Sequence, residues 1–210
     1  SGLDVMSPCA ACYGRMRAAQ ESRDSALIGA SDVNVCHILD VLATDESAEK
    51  LRDKVTTPLA DLRAVSYYGC LLTRPPQRTG ASDVEDPNSM DRLLDLAGAE
   101  ALPWSFKTDC CGASLTLTRT DIVTRLVDRL LRMAVEAGAD CVVVACSMCH
   151  ANLDARQAEA AQEHGGDYEL PIFYISELLG LAMGCADAPR WWRRHLTDPT
   201  PLLRAKGLAA

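Results

Sequence analysis

The stretch Asp140-Cys141-Val142-Val143-Val144-Ala145-Cys146-Ser147-Met148-Cys149-His150 decides the fold. Its apolar run is unbroken and rich in β-branched residues, with no polar alternation. That is the pattern of a short strand covered on both faces, as in a parallel sheet. The Cys-x-x-Cys follows at once and opens a helical stretch that reaches residue 162. Both thiols therefore fall where a strand's carboxyl end meets a helix, the edge where open α/β sheets bind their ligands. The expectation is an α/β fold, a parallel sheet flanked by helices with sulfur donors along one rim.

Working outward, residues 118–137 give the clearest helix. Ile122, Val123, Leu126, Val127, Leu130, Leu131, Ala134 and Val135 form one apolar stripe. Thr118 and Asp121 resemble a capping box. Asp121–Arg125 and Asp128–Arg132 have the spacing of i,i+4 ion pairs, and Gly138 closes the helix. A strand is expected at 171–175, followed by a helix at 176–183 capped by Ser176. Upstream, residues 62–68 read as a strand that delivers Cys70, and residues 89–97 as a helix. Residues 3–6 read as a strand and residues 10–20, 34–43 and 46–55 as helices, with Cys36 a buried thiol in the second of these. Cys141 reads as core packing and Cys185 as incidental. Residues 74–88 form a polar, Pro- and Gly-containing connection, long for a compact domain and carrying Arg74 and Arg78 as candidate holders of an anionic substrate or partner. Trp191 and Trp192 are expected to pack on the core or on another polypeptide of a complex.

Five of the ten cysteines follow the pattern Cys70-x39-Cys110-Cys111-x34-Cys146-x-x-Cys149, with Gly112 after the adjacent pair. Neighbouring cysteines do not readily bond each other, because their side chains diverge. They can both ligate one polynuclear centre, and soft thiolates at this density favour an iron–sulfur cluster or zinc over magnesium or calcium. A disulfide framework fits poorly with a core-rich chain of 210 residues. Reduced thiols on metal, in the cytoplasm, are expected instead. A thioredoxin-like reading of Cys146-x-x-Cys149 leaves Cys70, Cys110 and Cys111 without a role.

The net charge of −8 and the 5% aromatic content exclude a general nucleic-acid binder, which needs a basic face or a stacking platform. No stretch approaches the roughly 18–20 apolar residues of a membrane helix.

The chain also repeats itself. Gly2-Leu3-Asp4 precedes Cys9-x-x-Cys12 much as Gly138-Ala139-Asp140 precedes Cys146-x-x-Cys149, and Gln20 and Gln157 stand eight residues after the last cysteine of each. The second copy has Cys70 and Cys110-Cys111-Gly112 upstream and the first has no equivalent. A duplicated unit thus predicts a fragment lacking about 70 preceding residues, with Cys9 and Cys12 as half a site. The expected organisation is a remnant of a first domain over 1–60, a complete second domain over 61–185 and a tail over 186–210.

The chain resembles the B subunit of heterodisulfide reductase, a protein of two cysteine-rich CCG domains, in the form of its bacterial members. The resemblance is carried by Ser7-Pro8-Cys9-Ala10-Ala11-Cys12-Tyr13, Tyr67-Tyr68-Gly69-Cys70, Lys107-Thr108-Asp109-Cys110-Cys111-Gly112 and Ala145-Cys146-Ser147-Met148-Cys149-His150, and extends through Pro171-Ile172-Phe173-Tyr174. It implies a noncubane [4Fe-4S] cluster held by Cys70, Cys110, Cys111, Cys146 and Cys149. It also implies a partial site at Cys9 and Cys12, and reductive cleavage of a small-molecule disulfide. The partners it implies are the flavoprotein and the ferredoxin-like subunits of a heterodisulfide reductase complex. His150 becomes a candidate proton donor to a product thiolate, against the plainer role of packing on its helix. Leu71 stands where some members carry a polar residue. Two alternatives remain: an electron-transfer CCG subunit of a succinate, glycolate or lactate oxidising complex, and a structural zinc module.

Overall fold

The computed structural model describes residues 4–21 and 33–209. Six strands are found among them: β1 (Val5–Ser7), β2 (Val35–His37), β3 (Arg63–Tyr67), β4 (Glu100–Ala101), β5 (Cys141–Val144) and β6 (Ile172–Tyr174). The helices are α1 (Ala10–Glu21), α2 (Ile38–Leu42), α3 (Asp45–Arg52), α4 (Pro76–Thr79), α5 (Ser89–Leu96), α6 (Thr120–Glu136), α7 (Ser147–Ala155), α8 (Gln157–His164), α9 (Ile175–Ala182), α10 (Ala188–Trp191) and α11 (Thr200–Ala205). Four strands form a fully parallel sheet in the order β4-β3-β5-β6, and β1 and β2 form a parallel pair. The α/β expectation holds. No described helix is long and apolar enough to cross a membrane.

The valine run is covered on both faces because successive side chains alternate across a strand. Val142 and Val144 pack with Val123, Val127 and Leu131 of α6, while Cys141 and Val143 pack with Leu93 and Leu94 of α5 and Leu178 of α9. The carboxylate of Asp140 locks the amino-terminal rim. It accepts from the Arg63 amide at 2.8 Å and the Arg63 guanidinium at 3.2 Å, and pairs with Lys206 Nζ at 2.8 Å.

Several local expectations need correction. Residues 35–37 are strand β2, so the helix expected over 34–43 shortens to α2, and Cys36 is half-exposed beside the Val5 carbonyl. The helix over 118–137 starts at Thr120 without the Thr118 cap; Asp121 pairs with Arg119 at 2.8 Å, while the Asp128–Arg132 pair forms at 3.1 Å. Val135 is exposed. Helix α9 is capped at Tyr174 rather than at Ser176, by the Glu177 carboxylate accepting from the Tyr174 amide at 2.8 Å. The 74–88 connection contains the short helix α4. Trp192 and Trp191 do pack on the core.

The two Cys-x-x-Cys units are built alike. Val5 pairs with Val35 and Val142 with Ile172, thirty residues on in each case. The Gln20 amide donates to the Val33 carbonyl and the Gln157 amide to the Leu170 carbonyl, two residues before each partner strand position. His37 and Tyr174 end the second strand of each unit, and each receives the carboxylate of an acid three residues on, Asp40 or Glu177, at its amide. The two units also cross-link. The Tyr174 hydroxyl shares its hydrogen between the Pro8 and Ala145 carbonyls, and His37 approaches the Ala145 carbonyl without completing a bond there.

His37 is buried and packs edge-on against Tyr13. Burial pulls its pKa down to about 4, which the Ala145 carbonyl only partly offsets. The folded state therefore refuses a proton that the unfolded chain accepts below about pH 6.5. Stability is full above that pH and falls as pH drops towards 4, by about 3 kcal/mol from this group. Urea unfolding at pH 7.5 and 4.5 is expected to show this loss, and His37→Gln to remove its share.

Candidate metal centre

The five spaced thiols come from the ends of β3 and β5, the head of α7 and the loop over 107–112. Cys70 follows β3 through Gly69, whose φ of +68° turns the chain back over the rim. The Tyr68 and Gly69 amides both donate to the Lys107 carbonyl, at 2.8 and 3.1 Å, which brings the Cys110–Cys111 segment alongside. Lys107 is itself held by Asp91 at 2.5 Å, Asp86 at 2.7 Å and the Pro87 carbonyl. Gly112, at φ +79°, turns the chain after the pair, and a Cβ there would press on Val123 and Leu126 of α6. Cys146, two residues past β5, is the N-cap of α7, and Cys149 lies in the first turn of that helix.

The sulfurs converge. The Cys70 thiol meets that of Cys110, and the Cys149 thiol meets those of both Cys111 and Cys146. A Cβ on Gly69 would stand 2.9 Å from the Cys149 sulfur, which closes the set. The Cys70 contact lowers Cys110 to about pKa 6, helped by the Gly112 amide, which donates to its sulfur at 3.3 Å. Cys146 is likewise lowered to about 6, by Cys149 first and then by the amides of Cys149, Met148 and Ala10. Cys70 and Cys149, the donors in these contacts, are raised. Thiolate character at Cys110 and Cys146 thus comes first from the neighbouring Cys70 and Cys149 thiols and then from backbone amides after the Cys-Cys pair and at the head of α7.

The donor set fits a polynuclear centre. A single tetrahedral zinc with bonds of about 2.3 Å would draw its sulfurs to within roughly 3.8 Å of one another. Among the described residues no three thiol sulfurs all lie within even 4.8 Å of each other. They form a band, which suits a cluster of several irons.

A family model described as a cysteine-rich domain, CCG, matches residues 64–154, a span that contains all five of these thiols. The chain is also 31% identical over 198 residues to the B subunit of the ferredoxin:CoB-CoM heterodisulfide reductase of Methanosarcina mazei, covering 86% of this chain and 66% of that protein. This chain carries a CCG cysteine-rich domain. The CCG protein is 31% identical over 200 residues to the B subunit of the ferredoxin/F(420)H(2)-dependent CoB-CoM heterodisulfide reductase of Methanosarcina acetivorans, again 66% of that chain. It is 28% identical over 168 residues, 80% of its own length and 58% of the relative's, to the 8-methylmenaquinol:fumarate reductase membrane anchor subunit of Wolinella succinogenes. It spans a little under two thirds of the length of these relatives.

The other sequence candidates fall around the CCG site. Cys9 is buried and Cys12 exposed; their thiols meet each other, and the amide of Ala10 between them points at the Cys146 sulfur. Arg74 bonds Glu85 at 2.7 Å and both oxygens of Thr108, so it is tied into its own loop. His150 turns to Glu177 and His195. Cys141 is fully buried and Cys185 stands exposed. Two supporting residues are not marked out by the thiol spacing. Tyr67 donates to the Asp109 carbonyl at 2.6 Å, and burial, then the Cys111 and Cys149 thiols, raise its pKa and keep it protonated. Asn152 donates to the Cys111 carbonyl at 2.9 Å.

Proposed function

We propose that this chain is an iron–sulfur component of a heterodisulfide reductase-like complex, in which Cys70, Cys110, Cys111, Cys146 and Cys149 hold a noncubane [4Fe-4S] cluster and a small-molecule disulfide is cleaved to two thiols. The observation that carries the reading is the band of five converging sulfurs, wider than one tetrahedral ion requires. When bound, such a cluster supplies single electrons to a neighbouring sulfur. The amides of Gly112, Met148 and Ala10 steady negative charge on the ligand sulfurs, and Tyr67 and Asn152 fix the loop that carries Cys110 and Cys111. Cys9 and Cys12 belong to a second centre, set against the first across Ala10 and Cys146. Repetition of the strand register supports a duplicated domain, with residues 61–185 as the complete copy. Flavoprotein and ferredoxin-like subunits are the proposed electron donors, in a reducing cytoplasm consistent with ten cysteines none of which is paired in a disulfide.

The likeness to a fumarate reductase subunit favours a second reading, in which the same cluster only relays electrons. Purification without oxygen, followed by iron and sulfide counting and EPR, tests the cluster. Turnover of disulfides with a reduced dye then separates the readings. Near-equal iron and sulfide with disulfide reduction supports the first, and an intact cluster without it favours the relay. Zinc at the thiols without iron or sulfide removes both.

A further inference from the structure

His150, Glu177 and His195 meet beside the thiol rim, outside the five proposed cluster ligands. They come from three elements, α7, α9 and the turn after α10, and their ligand atoms all lie within 4.8 Å of one another. The His195 Nε2 lies 3.0 Å from Glu177 Oε1 and the His150 Nε2 lies 3.9 Å from Glu177 Oε2. The two imidazoles stand edge to face, with centroids 5.0 Å apart. A cavity of about 610 Å3 opens onto them, with Asp187, Arg190 and Trp191 in its wall.

We infer that these three side chains form a mononuclear site for a divalent transition ion of the zinc class, separate from the thiol centre. Two imidazoles and one carboxylate are borderline nitrogen and oxygen donors, which favour Zn2+ and its neighbours over Mg2+ or Ca2+. Ligand bonds of about 2.0–2.1 Å would put the three atoms about 3.4 Å apart, so only small side-chain shifts complete the site.

The surroundings are those of ligands already aimed. The His150 Nε2 is buried and has no hydrogen bond, while its ring also meets the Ile172 backbone carbonyl. Glu177 is fixed by the Tyr174 amide on Oε2. The His195 side chain is only 2% exposed and packs on Phe173. A plain Glu177–His195 hydrogen bond would leave the buried His150 nitrogen without a partner; an ion supplies one. The fourth position faces the cavity, so a water or a small exogenous ligand completes the coordination, as in zinc sites with an open place. Arg190 is drawn off to Asp187 at 3.3 Å.

The inference does not depend on iron at the thiols, and its test keeps the two apart. The protein, purified without oxygen, is incubated with Zn2+, freed of loose ion by gel filtration, and counted for zinc and iron together. One equivalent of zinc is expected that Glu177→Gln and His195→Gln each remove while iron stays unchanged. Glu177→Gln keeps an oxygen for the Tyr174 amide, so the fold is retained. Cys111→Ser is expected to do the reverse, losing iron and keeping this zinc. Should the variants misfold, Co2+ in the unaltered protein still decides. Visible d–d bands without a sulfur-to-cobalt transition support the site. Zinc indifferent to Glu177 and His195, no retained zinc, or cobalt seen only on thiolate each overturns it.

Discussion

Cys149→Ser is expected to strip the protein of its cluster, reducing iron, acid-labile sulfide and the EPR signal by more than about tenfold, the lower bound for disturbing a metal's surroundings. Cys149 is the hub of the sulfur band. It touches Cys111 on one side and Cys146 on the other, and backs on Gly69 beside Cys70. A serine oxygen there is a harder donor and a poor match for iron held by thiolates. The fold is expected to persist, because β5 and α7 are held by Val142, Val144 and Leu153 in the core. Circular dichroism should therefore match the unaltered protein. Cys36→Ser and Cys185→Ser should leave iron in place. Iron retained after Cys149→Ser would remove this residue from the ligand set.

Gly69→Ala is expected to act on both stability and the centre. Its φ of +68° is a conformation that costs other residues about 1–2 kcal/mol. The added Cβ would also stand 2.9 Å from the Cys149 sulfur and 3.7 Å from the Tyr67 ring. Overpacking adds about 1–3 kcal/mol, so the total is about 2–5 kcal/mol. Gly80→Ala is the control. Gly80 has a similar φ of +72°, but a Cβ there meets nothing within 4 Å. It should show the backbone penalty alone, with iron unchanged. Denaturant midpoints and iron counts on the pair separate strain from crowding at the sulfur. Equal effects of the two substitutions would show that the space beside Cys149 is not confined.

Much of the architecture is legible because the strongest signals are local. The Val142–Val144 run and the stripe from Ile122 to Ala134 each have one reading, and each forms the expected element. The strand at Val35–His37 is hidden in the sequence because it lies directly before α2, so one apolar pattern spans both. Ser176 suggests a cap by residue type. The actual cap is the Glu177 carboxylate accepting from the Tyr174 amide, the acidic half of a capping box whose first residue is not the usual Ser or Thr. The five thiols are legible through their spacing and family likeness. Their supports are less so, since Asn152 and Tyr67 act on carbonyls far away in sequence. The His150–Glu177–His195 group is invisible for the same reason. Single histidines on separate elements have no period, and only folding brings them together.

Because all strands of the larger sheet run one way, the molecule has an electrically active rim and an inert one. Asp140, Arg63 and Lys206 sit on the inert side, across the five residues of β3, a depth of about 17 Å. A film of this protein wired through Lys206 would present its sulfur edge to dissolved donors and hold it away from the electrode. The same film inverted would do the opposite. Current from such a device would report orientation before it reported the amount of protein.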